Sequence, residues 1–373
     1  MDVIGIVAEY NPFHNGHLYH INKIKEMYPD SVLIACVSSS FTQRGEVSVL
    51  NKWDKTSIAL KSGIDIVVEL PFVYSTQSAD IFAYGALKIL NFLGVKKIVF
   101  GSECDDIDRL YEIANVQVNN KEFDDLVSKY VSLGNNYPTS ISLALKDFNI
   151  KKIDSPNDLL GVSYIKEIIK NEYDIVPVSI KRTNNYHGNN IGDVLSASEL
   201  RNMINDGCDI SKYINYDSSI IYSGANYMKL LRYQIISNYN CLDKFLTVDE
   251  GIENRIIKYV NSGYSISDIV NHIKTKRYTY NKINRMLIHI LCSLKKDEAS
   301  LDIDYVRVLG FRSFGRSYLN KIKKGSNVPI ITRYKDIDSP LLDIEKRVTF
   351  IYSLIVNEDN LIKKEFSKPI FWD

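Results

Sequence analysis

Between Asp2 and Glu103, four short apolar runs each give way to a stretch of different periodicity, and that alternation restricts the fold more than any single residue does. The first run carries Val3, Ile4, Ile6 and Val7, breaks at Asn11-Pro12-Phe13, and is followed at helical intervals by Leu18, Ile21, Ile24 and Met27. Ser31 to Val37 reads as a second buried strand, with a helix over Lys52 to Leu60 running up to Gly63. Ile64 to Leu70, stopped by Pro71, is a third; a helix from about Ser78 to Leu93 follows, with Gly94 as its C-terminal stop. Lys97 to Phe100 is the fourth, ending at Gly101-Ser102-Glu103. This spacing predicts an α/β fold with a doubly wound, Rossmann-like parallel sheet, which binds ligands beyond the carboxyl ends of its strands.

Three of the six histidines, His14, His17 and His20, fall in and just after the first strand-to-helix turn. A helix start offers unpaired N–H groups and the positive end of the macrodipole, so His14 and His17, three apart, crowd donors around an anion. Gly16 between them leaves room for a ligand to approach the backbone. Ordinary histidines on a surface helix, or a pair sharing one metal ion, are the competing readings; no metal site is expected.

At 373 residues, with 45% apolar and 24% charged residues, the chain suits two soluble globular domains. Helical patterns cover 105–170, and Ile175 to Ile180 is a further strand whose Pro177 implies an edge or a bulge. Beyond Ser198 the alternation ends. Helices are expected near 219–237, 248–261, 266–275, 279–294 and 340–356, with extended pieces at Val306 to Leu309 and Val328 to Ile331. The expected division is a catalytic domain over 1–210 and a mainly helical, basic domain over 211–373. Five scattered cysteines without a C-x-x-C pair argue against a disulfide framework and a zinc site. No apolar run approaches the ~20 residues that span a bilayer, and no signal-peptide pattern opens the chain, so a cytoplasmic protein is expected.

The net charge of +1 hides an asymmetry: from Asn271 to Lys335, fifteen Lys and Arg stand against four Asp and Glu, a local +11. Lys274, Lys276 and Arg277 form one cluster and Lys321, Lys323 and Lys324 another, with Tyr278, Tyr280, Phe311, Phe314 and Tyr318 interleaved. Cations mixed with aromatic rings suit phosphates and unstacked bases, although a solvated helix face is also possible.

In LSASELRN (195–202), Ser196 followed by Glu199 is a capping box, and Arg201 lies in the first turns of the helix it starts. Ser196, Ser198 and Arg201 match, with Ser for Thr and Leu for Ile, the S-S-T-x-I-R segment with which similar adenylyltransferases hold a triphosphate, and HNGH (14–17) resembles the H-x-G-H motif of the nucleotidyltransferase superfamily. With EYNPFHNGH (9–17), FTQRGE (41–46), DIVVELPFVYSTQSAD (65–80), VFGSE (99–103), SPNDLLGVSYIK (155–166), IKRTNNYH (180–187) and SASELR (196–201) in this order, the chain resembles the bacterial tRNA(Met) cytidine acetate ligase family. The likeness is dense over the first ~200 residues and looser beyond, mainly around VLGF and VPIIT.

The resemblance implies an enzyme that adenylates acetate with ATP and transfers the acetyl group to the wobble cytidine of elongator tRNA(Met), giving N4-acetylcytidine. It places ATP on Val7, Ala8, Glu9, Tyr10, Asn11, Pro12, Phe13, His14, Asn15, Gly16, His17, Leu18, Tyr19 and His20, and on Gly101, Asn157 and Arg182. Ser196 and Ser198 would join the ATP site, with His14, His17 and Arg201 catalytic and Mg²⁺ held mainly by the ATP phosphates. Read alone, Gly101 can be a plain turn, Asn157 a helix N-cap and Arg182 a surface cation. Ser39-Ser40 and Asn185 depart from the family's usual Gly-Asn and Gly. Gln43, Arg44 and Glu46 can position acetate or cytidine, or merely cap a loop, while Glu69 and Asp80 read as structural. Two rivals remain: an adenylyltransferase acting on a small metabolite without tRNA, and a nucleic-acid binding protein on a degenerate nucleotide fold.

Overall fold

The computed structural model describes residues 2–182, 194–260 and 263–373. β1 (Val3–Ala8), β2 (Val32–Ser38), β3 (Ile66–Leu70), β4 (Lys97–Ser102) and β5 (Val176–Lys181) run parallel in the order β5-β4-β1-β2-β3. Pro177 is tolerated because β5 is, among the described residues, an edge strand bonded to β4 alone. The third strand starts later than its apolar run. Asp65 stays outside it and accepts the Leu33 N–H at 2.9 Å.

Both faces of the sheet are buried, and successive β2 residues alternate between two hydrophobic clusters. Val32, Ile34 and Cys36 pack on one side, Leu33, Ala35 and Val37 on the other. Helices Asn15–Met27 and Lys52–Lys61 cover the second side through Ile21, Ile24, Ile58 and Leu60; helices Ala79–Phe92 and Pro156–Lys170 cover the first. This is the doubly wound arrangement that the sequence implies.

The later part of the chain is mainly helical, with helices Tyr227–Ser237, Ile252–Val260, Ile266–Ile273, Tyr280–Leu291 and Pro340–Val356 near their expected places. The first starts later than expected because Ser218–Ile220 is a single 3₁₀ turn, and the Tyr222 N–H instead bonds the Val49 carbonyl at 2.8 Å. Helix Ser313–Ile322 has no place among the helices expected from sequence; Gly315, Ser313 and Ser317 weaken its helical pattern. None of the described helices is long and apolar enough to cross a membrane.

This later part also returns to the sheet. β6 (Val306–Arg312) pairs antiparallel with β3, and β7 (Ile330–Ile331) and β8 (Ile370–Trp372) pair parallel with β6, so the sheet runs across the expected boundary near residue 210. A buried ion cluster fastens the junction. Lys52 lies 2.7 Å from Glu69 and 2.8 Å from Glu365, while Arg307 binds Glu69 at 3.2 Å, the Glu365 carbonyl at 2.8 Å and the Glu365 carboxylate. Against a burial that would raise it, Lys52 and Arg307 hold the Glu365 carboxyl down to about 2. Glu69 is thus structural, as its strand context implies.

Candidate active site

The turn after β1 folds on its own histidines. His14 is the N-cap of helix Asn15–Met27, its Nδ1 accepting the Gly16 N–H at 3.0 Å; the His17 Nδ1 accepts the His14 N–H at 3.2 Å. These bonds make a capping box from two imidazoles, whose ring centroids are 3.9 Å apart. Both Nδ1 atoms act as acceptors, so the neutral tautomer carries its proton on Nε2, and each ring presents one N–H donor away from the backbone. Burial, with the Arg182 charge adding, brings His14 and His20 down to about 4. Burial and then the His14 and Arg182 charges push His17 well below its ordinary value. The rings are neutral donors at pH 7. The sequence had suggested that backbone N–H groups would meet an anion. In the fold the Gly16 N–H is already used, and a Cβ on Gly16 would stand 2.8 Å from the His14 ring, so this glycine makes room for the imidazole.

The rest of the loop is pinned from outside. Val49 N–H donates to the Asn11 Oδ1 at 2.8 Å, Tyr216 Oη to the Phe13 carbonyl at 3.0 Å, and the Asn15 Nδ2 to the Lys212 carbonyl at 3.1 Å. Tyr10 takes a left-handed φ of 46°, and its ring meets Phe13 and His17 at 4.8 and 5.0 Å. Of seven buried polar atoms without a partner among the described residues, four lie here: Tyr10 Oη, Asn11 Nδ2, His20 Nε2 and, at the end of β2, Ser38 Oγ. Such orphans are expected beside a ligand position.

Gly101, Asn157 and Arg182 meet at the carboxyl ends of β4 and β5. The Arg182 N–H bonds the Ser102 carbonyl at 2.8 Å, its Nε lies 3.7 Å from the Glu103 carboxylate, and the Asn157 Nδ2 donates to the same carboxylate. Ser155, and not Asn157, holds the N-cap position of helix Pro156–Lys170. A Cβ on Gly101 would stand 3.0 Å from the Arg182 Cγ, so the strand-end glycine admits the arginine stem. Asn185 lies outside the described residues.

Ser196 caps helix Ala197–Asn205 through the expected capping box with Glu199. Arg201 reaches from it to the histidine loop, donating to the Asn11 carbonyl at 2.8 Å and to Ser198 Oγ at 3.2 Å, and pairs with Glu46 at 2.8 Å. Sequence reasoning missed Lys55, which is fully buried and donates to the Ser38 and Ser39 carbonyls, both at 2.9 Å. Burial brings Lys55 down to about 7 against the opposing charge of Glu9, whose own carboxyl burial raises while it accepts the Gln43 N–H at 2.6 Å. The signal available was slight: Lys55 stands three residues before the apolar Ile58-Ala59-Leu60 end of its helix. Asp80 pairs with Lys166 at 2.9 Å and accepts from Ser163 at 3.0 Å, a structural role. Among the described residues, no three His, Cys, Asp or Glu side chains converge to hold a metal ion.

The basic segment is only partly a surface. Arg307 belongs to the buried cluster, Arg285 reaches the Gln43 carbonyl at 3.2 Å, and Tyr278 and Tyr318 are buried with their hydroxyls on the Asp249 and Leu93 carbonyls. Neither of these tyrosines offers a face for stacking. Tyr280 and Phe314 are exposed, and Lys274 sits 4.5 Å over the Tyr280 ring. Lys274, Lys276, Arg277, Lys321, Lys323 and Lys324 are all exposed, with Arg277 paired to Glu250 at 3.1 Å.

A largely parallel sheet with a His-x-Gly-His turn at the end of its first strand, flanked by two arginines, defines a nucleotidyltransferase-type α/β protein. The HIGH Nucleotidyl Transferase family model matches residues 1–367. The tRNA(Met) cytidine acetate ligase of Caldicellulosiruptor saccharolyticus is 39% identical, aligned over 100% of this chain and 99% of that protein. The one from Oceanobacillus iheyensis is 36% identical over 99% of this chain and 100% of its own length. The crystal structure of Thermotoga maritima TmcAL bound with alpha-thio ATP has a TM-score of 0.88 and 29% identity, covering 100% of this chain and 99% of that one. The chain belongs to the tRNA(Met) cytidine acetate ligase family of HIGH nucleotidyl transferases.

Proposed function

We propose that this protein is an ATP-dependent ligase that activates acetate as acetyl-adenylate and passes the acetyl group to the N4 amino group of the wobble cytidine of elongator tRNA(Met). The observation that carries the reading is the imidazole capping box, which holds two neutral Nε2–H donors beside Arg182 at the end of β1. Donors fixed before the reaction stabilise charge growing on phosphate oxygens without reorganising. An acetate oxygen attacks the α-phosphorus, the bond to the β-phosphate oxygen breaks, and pyrophosphate leaves. The cytidine N4 then attacks the acetyl carbonyl, the bond to AMP breaks, and the nitrogen loses a proton.

Within this scheme Arg182 and Arg201 offset the negative charge of the triphosphate, Ser196 and Ser198 line the same end, and Gly101 and Asn157 flank the nucleoside. Mg²⁺ would be held mainly by the ATP phosphates, where it supplies charge neutralisation when bound. Burial pushes the Cys36 and Cys292 thiols far up, which disfavours either as a nucleophile. Lys274, Lys276, Arg277, Lys321, Lys323 and Lys324, all in the 211–373 region, are assigned to the tRNA backbone. The test is purified protein with ATP, radiolabelled acetate and bulk tRNA. We expect acetate-dependent ATP–pyrophosphate exchange without tRNA, and label in tRNA when it is present; no exchange would overturn the proposal.

A further inference from the structure

The loop after β2 is held from many sides. Phe41 and Val47 form an isolated bridge, the Thr42 N–H bonds the Glu46 carbonyl at 3.0 Å, and the Gln43 Nε2 donates to the Gln77 carbonyl at 2.9 Å. Gly45, at φ 76°, lies so close to helix Tyr280–Leu291 that a Cβ would stand 2.3 Å from the Arg285 backbone nitrogen. Glu46 is taken by Arg201 and the Gln43 backbone N–H by Glu9. In this rigid loop Arg44 alone among the polar side chains has no hydrogen bond or ion pair with any described residue, although it is half-buried and its charge acts on Glu9. A half-buried guanidinium left this way keeps five donors in a fork that fits a planar carboxylate.

The local charges show that Arg44 is unmatched. Glu9 faces Lys55, and Glu46 faces Arg201, so both nearby carboxylates already have a cation other than Arg44. The Arg44 charge remains over. Sheet order shows which ligand it fits. Gly101, Asn157 and Arg182 stand at the ends of β4 and β5, on one side of β1; the Arg44 loop follows β2, on the other side. A nucleotide lying from β4 to β1 leaves the β2 side for the second reactant. We propose that Arg44 binds the carboxylate of the small acid that is activated, an assignment that rests on the adenylation reading above.

The guanidinium would hold the acid against the repulsion of the triphosphate and leave one carboxylate oxygen to the α-phosphorus. Because Arg44 makes no hydrogen bond or ion pair with any described residue, its replacement breaks none among them, and Arg44→Gln and Arg44→Lys are expected to fold like the wild type. The acetate KM in ATP–pyrophosphate exchange should rise on the order of 10- to 100-fold in Arg44→Gln. It should rise less in Arg44→Lys, which keeps charge without the fork. ATP affinity by calorimetry, and the tRNA KM when synthetic acetyl-adenylate is supplied, should not change. An unchanged acetate KM in Arg44→Gln overturns the assignment. A raised tRNA KM with unchanged acetate KM also does so, by making the oxyanion an RNA phosphate. A wild-type protein without any acetate-dependent exchange would instead overturn the adenylation reading itself.

Discussion

Replacing His17 separates the two duties of its ring. One nitrogen, Nδ1, accepts the His14 N–H at 3.2 Å and closes the helix cap; the other carries the proton proposed to meet phosphate. In His17→Ala both are lost. Loss of the cap bond costs about 1 kcal/mol of stability, and loss of one donor to the transition-state oxyanion costs ~10²-fold or more in rate. In His17→Asn, the amide oxygen occupies nearly the place of Nδ1 and restores the cap, but nothing replaces Nε2–H. Urea unfolding and acetate-dependent ATP–pyrophosphate exchange read the two losses separately. The alanine variant should lose stability and exchange, whereas the asparagine variant should recover most of the stability and still lack exchange by ~10²-fold. An asparagine variant with wild-type exchange would refute the donor role, and one as unstable as alanine would refute the cap.

Three further outcomes follow from the same geometry. Arg307→Met leaves Glu69 and Glu365 with Lys52 alone in a buried site, and unfolding experiments should show a loss of about 3–5 kcal/mol; a loss below 1 kcal/mol would mean that the cluster reorganises freely. His20, at about 4 in the fold and ~6.5 when unfolded, stays neutral while the unfolded chain takes up a proton, so its stability contribution is full above ~6.5 and falls as pH drops toward about 4. Relative to wild type, His20→Gln should therefore gain about 2 kcal/mol between pH 7 and pH 5 in urea titrations, and parallel profiles would show that the shift is absent. Charge reversal at Lys274, Lys276 and Arg277, or at Lys321, Lys323 and Lys324, should weaken tRNA acetylation and flatten its salt dependence while acetyl-adenylate formation persists. If both reactions failed in a folded variant, the cations would belong to the catalytic core.

The parallel strands β1 to β4 were legible because each is a largely buried run of β-branched and apolar residues with a helix after it, and the Ser196 cap because its box is local in sequence. What escaped was non-local. Nothing in VRVLGFR says that it pairs antiparallel with Ile66–Leu70, some 240 residues earlier, and IFW is too short to read as a strand at all. The basic segment misled for a related reason: a count of cations cannot tell that Arg307 serves the core, or that Tyr278 and Tyr318 turn inward. The histidine motif was visible, but not its use of Nδ1 to cap its own helix, because that depends on how the turn closes. Lys55 was passed over as one cation on an amphipathic helix, since only the fold reveals the carbonyls of Ser38 and Ser39 above it.

The way β6 joins β3 has a consequence for synthesis on the ribosome. The parallel strands β1 to β5 emerge within the first 181 residues, but the open edge of β3 has no partner until residue 312 has been made. Glu69 and Lys52 wait longer still, because Glu365 arrives within the last stretch of the chain. During that interval the nascent protein displays a bare strand edge, which is the kind of surface that sticks to other chains. A product halted near residue 210 is therefore expected to be captured by chaperones or to aggregate, and protease resistance to appear only once β6 and β8 have been released.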